Sequence, residues 1–168
     1  MTTAFPEFSD TDMNDGKVLP SDINIIPLED CHIPMVCKVE EDNFTDPWSE
    51  ESFRSILMSS FAFSFGAFDG VGCLLGYIIL SFVVDVGEVL DIAVAVDRKK
   101  MGVGTQLMSH AHSFLKEKGG SEVFLEVRES NTAARSLYSK QGYEAVGIRK
   151  NYYSNPKENA IMMKKALN

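Results

Sequence analysis

The segment 98–105 contains the residues whose types and spacing most clearly suggest ligand chemistry. It lies between a predicted strand and a predicted helix and carries two glycines, Gly102 and Gly104. Glycine lets the backbone turn sharply and approach a ligand closely. The amide N–H groups of such a turn, with the positive partial charge of roughly half a unit at a helix start, favour an anion. A diphosphate fits this arrangement, and Lys99 or Lys100 could add charge at its rim.

The glycine turn alone does not identify the ligand. No lysine–serine or lysine–threonine pair follows Gly104, so the Walker A phosphate loop is excluded. Leu107 stands where a dinucleotide-binding fingerprint would place its third glycine. Because a bare G-x-G also occurs in strand–helix turns that bind nothing, a second signal is needed.

Glu126, Asn131 and Tyr138 provide that second signal. Glu126 ends a predicted strand, Asn131 opens a predicted helix, and Tyr138 lies seven residues further on. Seven residues are about two helical turns, so Asn131 and Tyr138 share a helix face and can look into the cleft beside the glycine turn. Glu126 alone is typical of a surface strand and Tyr138 alone of a core aromatic. Their occurrence in register with Asn131 and the turn favours a catalytic site.

The surrounding chain is predicted to form a mixed sheet flanked by helices. Strands are predicted at 23–28, 62–68, 73–84, 87–96, 123–128, 143–149 and 159–165. Helices are predicted at 29–43 and 49–59, from Gly104 to the Gly119-Gly120 pair, and at 130–141. Ser49 and Ser130 are predicted as N-caps, and Asp69-Gly70 as a hairpin turn.

Length and charge limit the possible functions. The 168 residues suit one compact domain at 23–168, preceded by an acidic, flexible tail at 1–22. A formal net charge of -8 and a pI near 4.9 argue against nucleic-acid binding. The charge suits a basic partner, although solubility alone explains it equally well.

Neither a metal site nor membrane insertion is predicted. The cysteines and histidines lack a paired zinc spacing: Cys31, Cys37, Cys73, His32, His110 and His112. The apolar stretch 61–86 is interrupted by glycines and aspartates, which indicates successive buried strands. The N-terminus lacks the pattern of a signal peptide, so we expect a cytoplasmic protein.

Several segments together resemble the GNAT superfamily of N-acetyltransferases. They are Asp46-Pro47-Trp48-Ser49-Glu50, Asp91-Ile92-Ala93-Val94, Gly102-Val103-Gly104, Leu125-Glu126-Val127-Arg128-Glu129-Ser130-Asn131, Ala133-Ala134-Arg135-Ser136-Leu137-Tyr138 and Gly142-Tyr143. The run Ile148-Arg149-Lys150-Asn151-Tyr152-Tyr153 is similar to that of the ribosomal-protein alanine N-acetyltransferases, the RimI-like group. The resemblance extends from Ile23 to the C-terminus. It implies an α/β (α+β) GNAT fold with a mixed, mostly antiparallel sheet of about six or seven strands and about four helices.

The resemblance also implies acetyl-CoA as cosubstrate, with no metal. The residues that would bind it are Ile92, Ala93, Val94, Lys100, Met101, Gly102, Val103, Gly104, Thr105 and Asn131. The first three would hydrogen-bond the pantetheine arm through their backbone, the next six would form the diphosphate loop, and the asparagine would contact the coenzyme. Two positions depart from the family pattern: Lys99 replaces the usual glutamine or arginine, and Ala95-Val96 replaces an Asp-Pro pair.

By the same resemblance, Glu126 is the general base, acting through water, and Tyr138 is the acid that protonates the departing thiolate. An α-amine with a pKa near 8 is neutral in about a tenth of molecules at pH 7, and a lysine in fewer than about a thousandth. Modest help from a carboxylate therefore suffices, and attack is direct. The predicted acceptor is the N-terminus of an alanine-starting ribosomal protein with a basic N-terminal region.

Two alternatives remain open at this point. The first is acetylation of an internal lysine or a small amine, with the same fold and cofactor. The second is a non-catalytic coenzyme-A-binding module, against which the retention of Glu126 and Tyr138 counts. We expect no direct contact with nucleic acid or membrane, and a monomer or weak dimer.

Overall fold

A computed structural model of the chain describes residues 23–167. The predicted tail at 1–22 lies outside the described residues. The elements are β1 Asn24–Pro27, α1 Ile33–Asn43, α2 Glu50–Leu57, β2 Ala62–Phe68, β3 Leu74–Val83, β4 Val86–Val94, α3 Val103–Glu117, β5 Glu122–Arg128, α4 Thr132–Lys140, β6 Glu144–Ser154 and β7 Lys157–Ala166. This is the predicted order of strands and helices.

All seven strands join one sheet in the order β1-β2-β3-β4-β5-β7-β6. Every neighbouring pair is antiparallel except β4 and β5, which are parallel. The crossover from β4 to β5 runs through α3, as parallel strands require. The predicted mixed, mostly antiparallel sheet with flanking helices is therefore confirmed.

The parallel pair β4–β5 separates halfway along its length. Val86–Val89 pair with Glu122–Leu125, although β4 continues to Val94 and β5 to Arg128. A bulge bends β4 at this point, because Leu80 pairs with Val89 and Ile79 with Asp91, so that Leu90 is an extra residue. We call the gap beyond Val89 and Leu125 the β4–β5 cleft.

The helices cover opposite faces of the sheet. On one face, α3 and α4 bury a core that includes Leu107, Met108, Val123, Leu125 and Tyr138. On the other face, α1 and α2 bury a second core that includes Val36, Phe53, Tyr77, Ile79 and Ala93. The period-two pattern of β5 explains why Val123 and Leu125 face α3 while Glu126 faces the opposite side.

Two local predictions need correction. Ser130 was the expected N-cap of α4, but Asn131 takes this position and its side chain accepts a hydrogen bond from Ala134 N at 3.1 Å. Strand β6 continues to Ser154, beyond its predicted end, because a bulge with Asn151 at φ 54° interrupts the alternation without ending the strand. The predicted cap Ser49 is confirmed, since its Oγ accepts from Ser52 N at 3.1 Å.

Candidate active site

The segment after β4 brings the start of α3 to the β4–β5 cleft. Gly102 has φ +85°, a left-handed conformation that glycine favours, and α3 begins directly after it. The first helical hydrogen bond runs from Gln106 N to Gly102 O, so the amides of residues 103–105 have no acceptor within the helix. A Cβ added at Gly104 would lie 3.3 Å from Leu137 Cδ2 and 3.7 Å from Val94 Cγ2. This glycine therefore lets α3 pack closely on both α4 and the end of β4.

Ile92, Ala93 and Val94 form the β4 side of the cleft. They pair with β3 on one side only, opposite Ile78, Tyr77 and Gly76 respectively. In an antiparallel strand, alternate residues hydrogen-bond one neighbouring strand through their N–H and C=O groups. The residues between them direct these groups to the opposite side. Past Val89 that other side has no paired strand, so backbone groups of this segment are directed at the cleft.

Tyr138 approaches the cleft from the α3 and α4 side. It is 6% exposed and its ring lies 5.9 Å from that of Tyr143. Burial raises the pKa of the Tyr138 hydroxyl well above its usual value, and the charges of Asp91 and then Tyr153 raise it further. The hydroxyl is therefore protonated at neutral pH. Asn131, in contrast, is exposed at the start of α4, where its side-chain oxygen caps the helix.

Glu126 lies on the opposite face of the sheet and is paired. Its side chain is 15% exposed, and Arg149 Nε is 2.8 Å from Glu126 Oε1. A hydrogen bond to Glu126 is the largest cause that raises the pKa of the Tyr152 hydroxyl, followed by burial. The carboxylate thus contacts a guanidinium and a phenol from β6.

A pocket of about 150 Å³ lies beside this pair. It is lined by Val86, Glu88, Phe124, Leu125, Glu126, Arg149 and Met162. Burial raises the pKa of Glu88, the charge of Glu126 raises it further, and Arg149 partly offsets both. The pocket is therefore lined by two carboxyl groups and one guanidinium, so acidic groups predominate in it.

A hydrogen-bonded bridge spans the cleft on this same face. At the end of β4, Asn43 Nδ2 donates to Val94 O at 3.1 Å. At the end of β5, Arg128 Nη2 donates to Asn155 O at 3.0 Å. Between these points Thr45 Oγ1 donates to Asn155 O at 2.9 Å and joins the α1–α2 loop to the β6–β7 turn. We call this contact the Thr45–Asn155 bridge, and it bounds the cleft at its wide end.

Sequence reasoning missed the partners on this face. Arg149 stood only within a segment that carries the family resemblance, and Thr45 lies in the unassigned stretch between the helices predicted at 29–43 and 49–59. Nothing local marks a contact between Thr45 and Asn155, which are 110 residues apart. The sequence Ser154-Asn155-Pro156 is typical of a turn, and β6 and β7 are joined there.

Metal-binding clusters, disulfides and membrane-spanning helices are all absent from residues 23–167. No group of three or more His, Cys, Asp or Glu residues in this part of the chain is arranged to hold a metal ion. The three cysteines are free thiols. Within the same range, every helix is too short or too polar to cross a membrane.

The fold and the cleft define a class of acyl-transferring enzymes, and comparison with known proteins identifies it. The family model described as "Acetyltransferase (GNAT) family" matches residues 33–143. The chain therefore belongs to the GNAT acetyltransferase family, and it is an N-acetyltransferase.

Two relatives and one solved structure define the similarity more narrowly. The [ribosomal protein bS18]-alanine N-acetyltransferase of Escherichia coli (strain K12) is 33% identical over 141 residues, covering 83% of this chain and 94% of that protein. A Bacillus subtilis (strain 168) protein that carries the same name provisionally is 35% identical over 136 residues, covering 81% and 89%. The crystal structure of the ribosomal-protein-S18-alanine N-acetyltransferase from Escherichia coli superposes with a TM-score of 0.81 at 31% identity, covering 87% of this chain and 94% of that chain.

Proposed function

We propose that the protein transfers the acetyl group of acetyl-CoA to the N-terminal α-amine of a protein, and that this protein is an alanine-starting ribosomal protein. The observation that carries the proposal is the Thr45–Asn155 bridge, which bounds the acceptor face of the cleft. A protein N-terminus can enter a bounded opening end-on. An internal lysine must enter with polypeptide on both sides of it, which a bounded opening hinders. The names of the bS18-alanine N-acetyltransferase relatives support the same acceptor.

The residues present fit acetyl-CoA. The left-handed Gly102 and the unpartnered amides of residues 103–105 can hold a diphosphate, with Lys99 and Lys100 exposed at the rim. The cleft-facing backbone of residues 92–94 can hold the pantetheine arm, as the family resemblance implies. Asn131 stands at the start of α4, where it can reach the coenzyme with its amide nitrogen. Bound acetyl-CoA supplies an activated acetyl thioester.

Glu126 and Tyr138 then divide the proton transfers between the two faces of the sheet. Glu126 accepts the proton of the acceptor ammonium through water, from the face that the acceptor reaches. Tyr138 holds its proton until sulfur departs, because burial keeps its hydroxyl un-ionised. Amine attack needs no covalent enzyme intermediate, so positioning of the two substrates contributes much of the rate.

The charge of the acceptor face favours a basic acceptor. Glu88 and Glu126 outnumber Arg149 in the pocket, and the chain carries a net charge of -8. A basic N-terminal region would be attracted to this face over a Debye length of about 8 Å at physiological ionic strength. A ribosomal acceptor also places the activity in the cytoplasm.

A panel of acceptors tests the proposal directly. Acetyl transfer is measured to a basic peptide that begins Ala-Arg, to the same peptide with a blocked N-terminus, to a lysine peptide and to a polyamine. We expect transfer only to the free N-terminus. Transfer to the blocked peptide or polyamine would show lysine or small-amine acetylation, and binding of acetyl-CoA without any transfer would show a non-catalytic module.

A further inference from the structure

Three oxygen-bearing side chains form a hydrogen-bonded row beneath the β4 bulge. Glu40 on α1 is 1% exposed and is the one charged side chain fully buried within residues 23–167. The Tyr77 hydroxyl on β3 contacts Glu40 Oε2 and lies 2.8 Å from Asp91 Oδ2 on β4. Trp48 N donates to the other oxygen of Glu40 at 2.8 Å. This hydrogen-bonded row thus runs from the α1–α2 loop to β4, the strand that borders the cleft.

These contacts require more hydrogen atoms than the ionised groups possess. An ionised carboxylate only accepts hydrogen bonds, and a tyrosine hydroxyl has a single hydrogen to donate. Tyr77 cannot donate to Glu40 and to Asp91 at once, and two unprotonated oxygens in contact would repel each other. One of the two carboxyl groups must therefore carry a proton, as in other buried carboxylate pairs.

Asp91 is the better site for this proton. Burial and then the negative charge of Glu40 raise the pKa of Asp91 to about 7, although its hydrogen bonds with Tyr77 and with the Ile92 amide oppose the shift. Both oxygens of Glu40 already accept hydrogen bonds, one from the Trp48 amide and the other from Tyr77. Tyr77 then donates to Glu40 and accepts from protonated Asp91.

Asp91 also lies within electrostatic reach of the proposed acid. Its charge is the largest cause, after burial, that raises the pKa of Tyr138. The titratable groups that face Asp91 are Glu40 from α1, Tyr77 from β3 and Tyr138 from α4, and none of these brings a positive charge. An ionised Asp91 would therefore make Tyr138 hold its proton more tightly.

We propose that Asp91 works as a neutral, protonated carboxylic acid held by Tyr77 and Glu40, and that its neutrality makes Tyr138 a better proton donor to the departing sulfur. Asp91 is a positioning residue that acts through Tyr138. The proposal rests on the proposed function, because it assumes that Tyr138 is the acid. When Asp91 ionises, the added negative charge opposes both loss of the Tyr138 proton and departure of a negatively charged sulfur.

The pH profile of Asp91→Asn tests the role in transfer. Asparagine keeps the shape and can donate to Tyr77, but it stays neutral at every pH. We expect the ratio of wild-type to D91N kcat to be constant below about pH 6 and to fall about tenfold by about pH 9, because ionisation of Asp91 adds one negative charge near Tyr138. Asp42→Asn, which removes an exposed aspartate of α1, should leave the wild-type profile unchanged.

Glu40→Gln sharpens this test because it removes the charge that opposes ionisation of Asp91. Asp91 should then ionise at lower pH, and kcat should therefore begin to fall at lower pH than in the wild type. A D91N profile that superimposes on the wild-type profile, while both proteins acetylate the peptide, would overturn the proposal.

An infrared measurement without acetyl-CoA separates this proposal from the proposed function. At about pH 6 the wild-type protein should show the carbonyl band of a buried carboxylic acid that disappears as the pH rises through about 7. The band should be absent from D91N and present in D42N. Its absence from the wild type would refute the shared proton, whereas a wild type that shows the band but acetylates no peptide would refute the proposed function and leave the shared proton standing.

Discussion

The two sides of the β4–β5 cleft are built in different ways. We name the two sides after the ligands proposed for them. The cofactor side uses backbone amides, a left-handed glycine and one buried hydroxyl, and its parts come from the short stretches 92–105 and 131–138. The acceptor side uses charged side chains from distant elements that already contact one another, with Glu126 paired to Arg149 at 2.8 Å. On the first side, the amides of residues 103–105 have no acceptor within the helix. On the second, an incoming ammonium must compete with the protein's own cation.

The largest effect is expected from Tyr138→Phe, which acts where the two sides meet. Phenylalanine keeps the buried ring but removes the proton donor, so acetyl-CoA affinity should persist while turnover falls by about a hundredfold to ten-thousandfold. Binding by calorimetry and single-turnover transfer measure the two effects separately.

Tyr143→Phe is the matched control for this change. Tyr143 is 3% exposed, packs against Tyr138, and its hydroxyl is 3.0 Å from His112 Nε2, away from the proposed chemistry. It should keep near wild-type turnover. Unchanged turnover in Tyr138→Phe would remove this tyrosine as the acid.

The contrast between the two sides explains what the sequence could predict. The order of elements and the glycine turn follow from local patterns: alternation in β5, helical spacing after Gly104, and a glycine at a left-handed position. Glu126 and Tyr138 could be singled out because their spacing within one strand–helix unit is also local. Their catalytic roles remain a prediction.

The contacts of the acceptor side could not be predicted because long-range pairing creates them. Separation of β4 from β5 depends on a bulge opposite β3, where Leu90 is the extra residue. Arg149 on β6 reaches Glu126 on β5 across the intervening strand β7, a neighbourhood that only the sheet order creates. The N-cap error at Ser130 has a different origin, since two adjacent residues both had side chains able to cap α4.

A smaller, pH-dependent effect is expected from Glu126→Gln. At low pH the acceptor amine is protonated and needs a base, so transfer should fall by about tenfold or more near pH 6. The loss should shrink near pH 9, because more of the amine is already neutral. Rates against pH, with saturating acetyl-CoA, measure the difference.

Glu122→Gln provides the control for Glu126→Gln. Glu122 lies on the same strand and the same face, and its carboxylate is 3.0 Å from Lys164 Nζ. It should change the rate little at any pH. An equal loss at low and high pH in Glu126→Gln would count against the assignment of the base.

The smallest effect is expected from Arg149→Met. This change tests whether Arg149 competes with the acceptor for Glu126. Removing the guanidinium leaves Glu88 and Glu126 free to attract a cationic peptide, so the KM for a basic N-terminal peptide should fall. A half-exposed ion pair contributes at most about 1 kcal/mol, which corresponds to about a fivefold change. The change should diminish at high salt because exposed charges are screened.

Lys150→Met is the control for Arg149→Met. It alters the net charge equally from the next position of β6, and no ion pair to Glu126 is lost with it. If both variants lower KM by the same factor, overall charge attracts the peptide and competition between Arg149 and the acceptor for Glu126 is not involved.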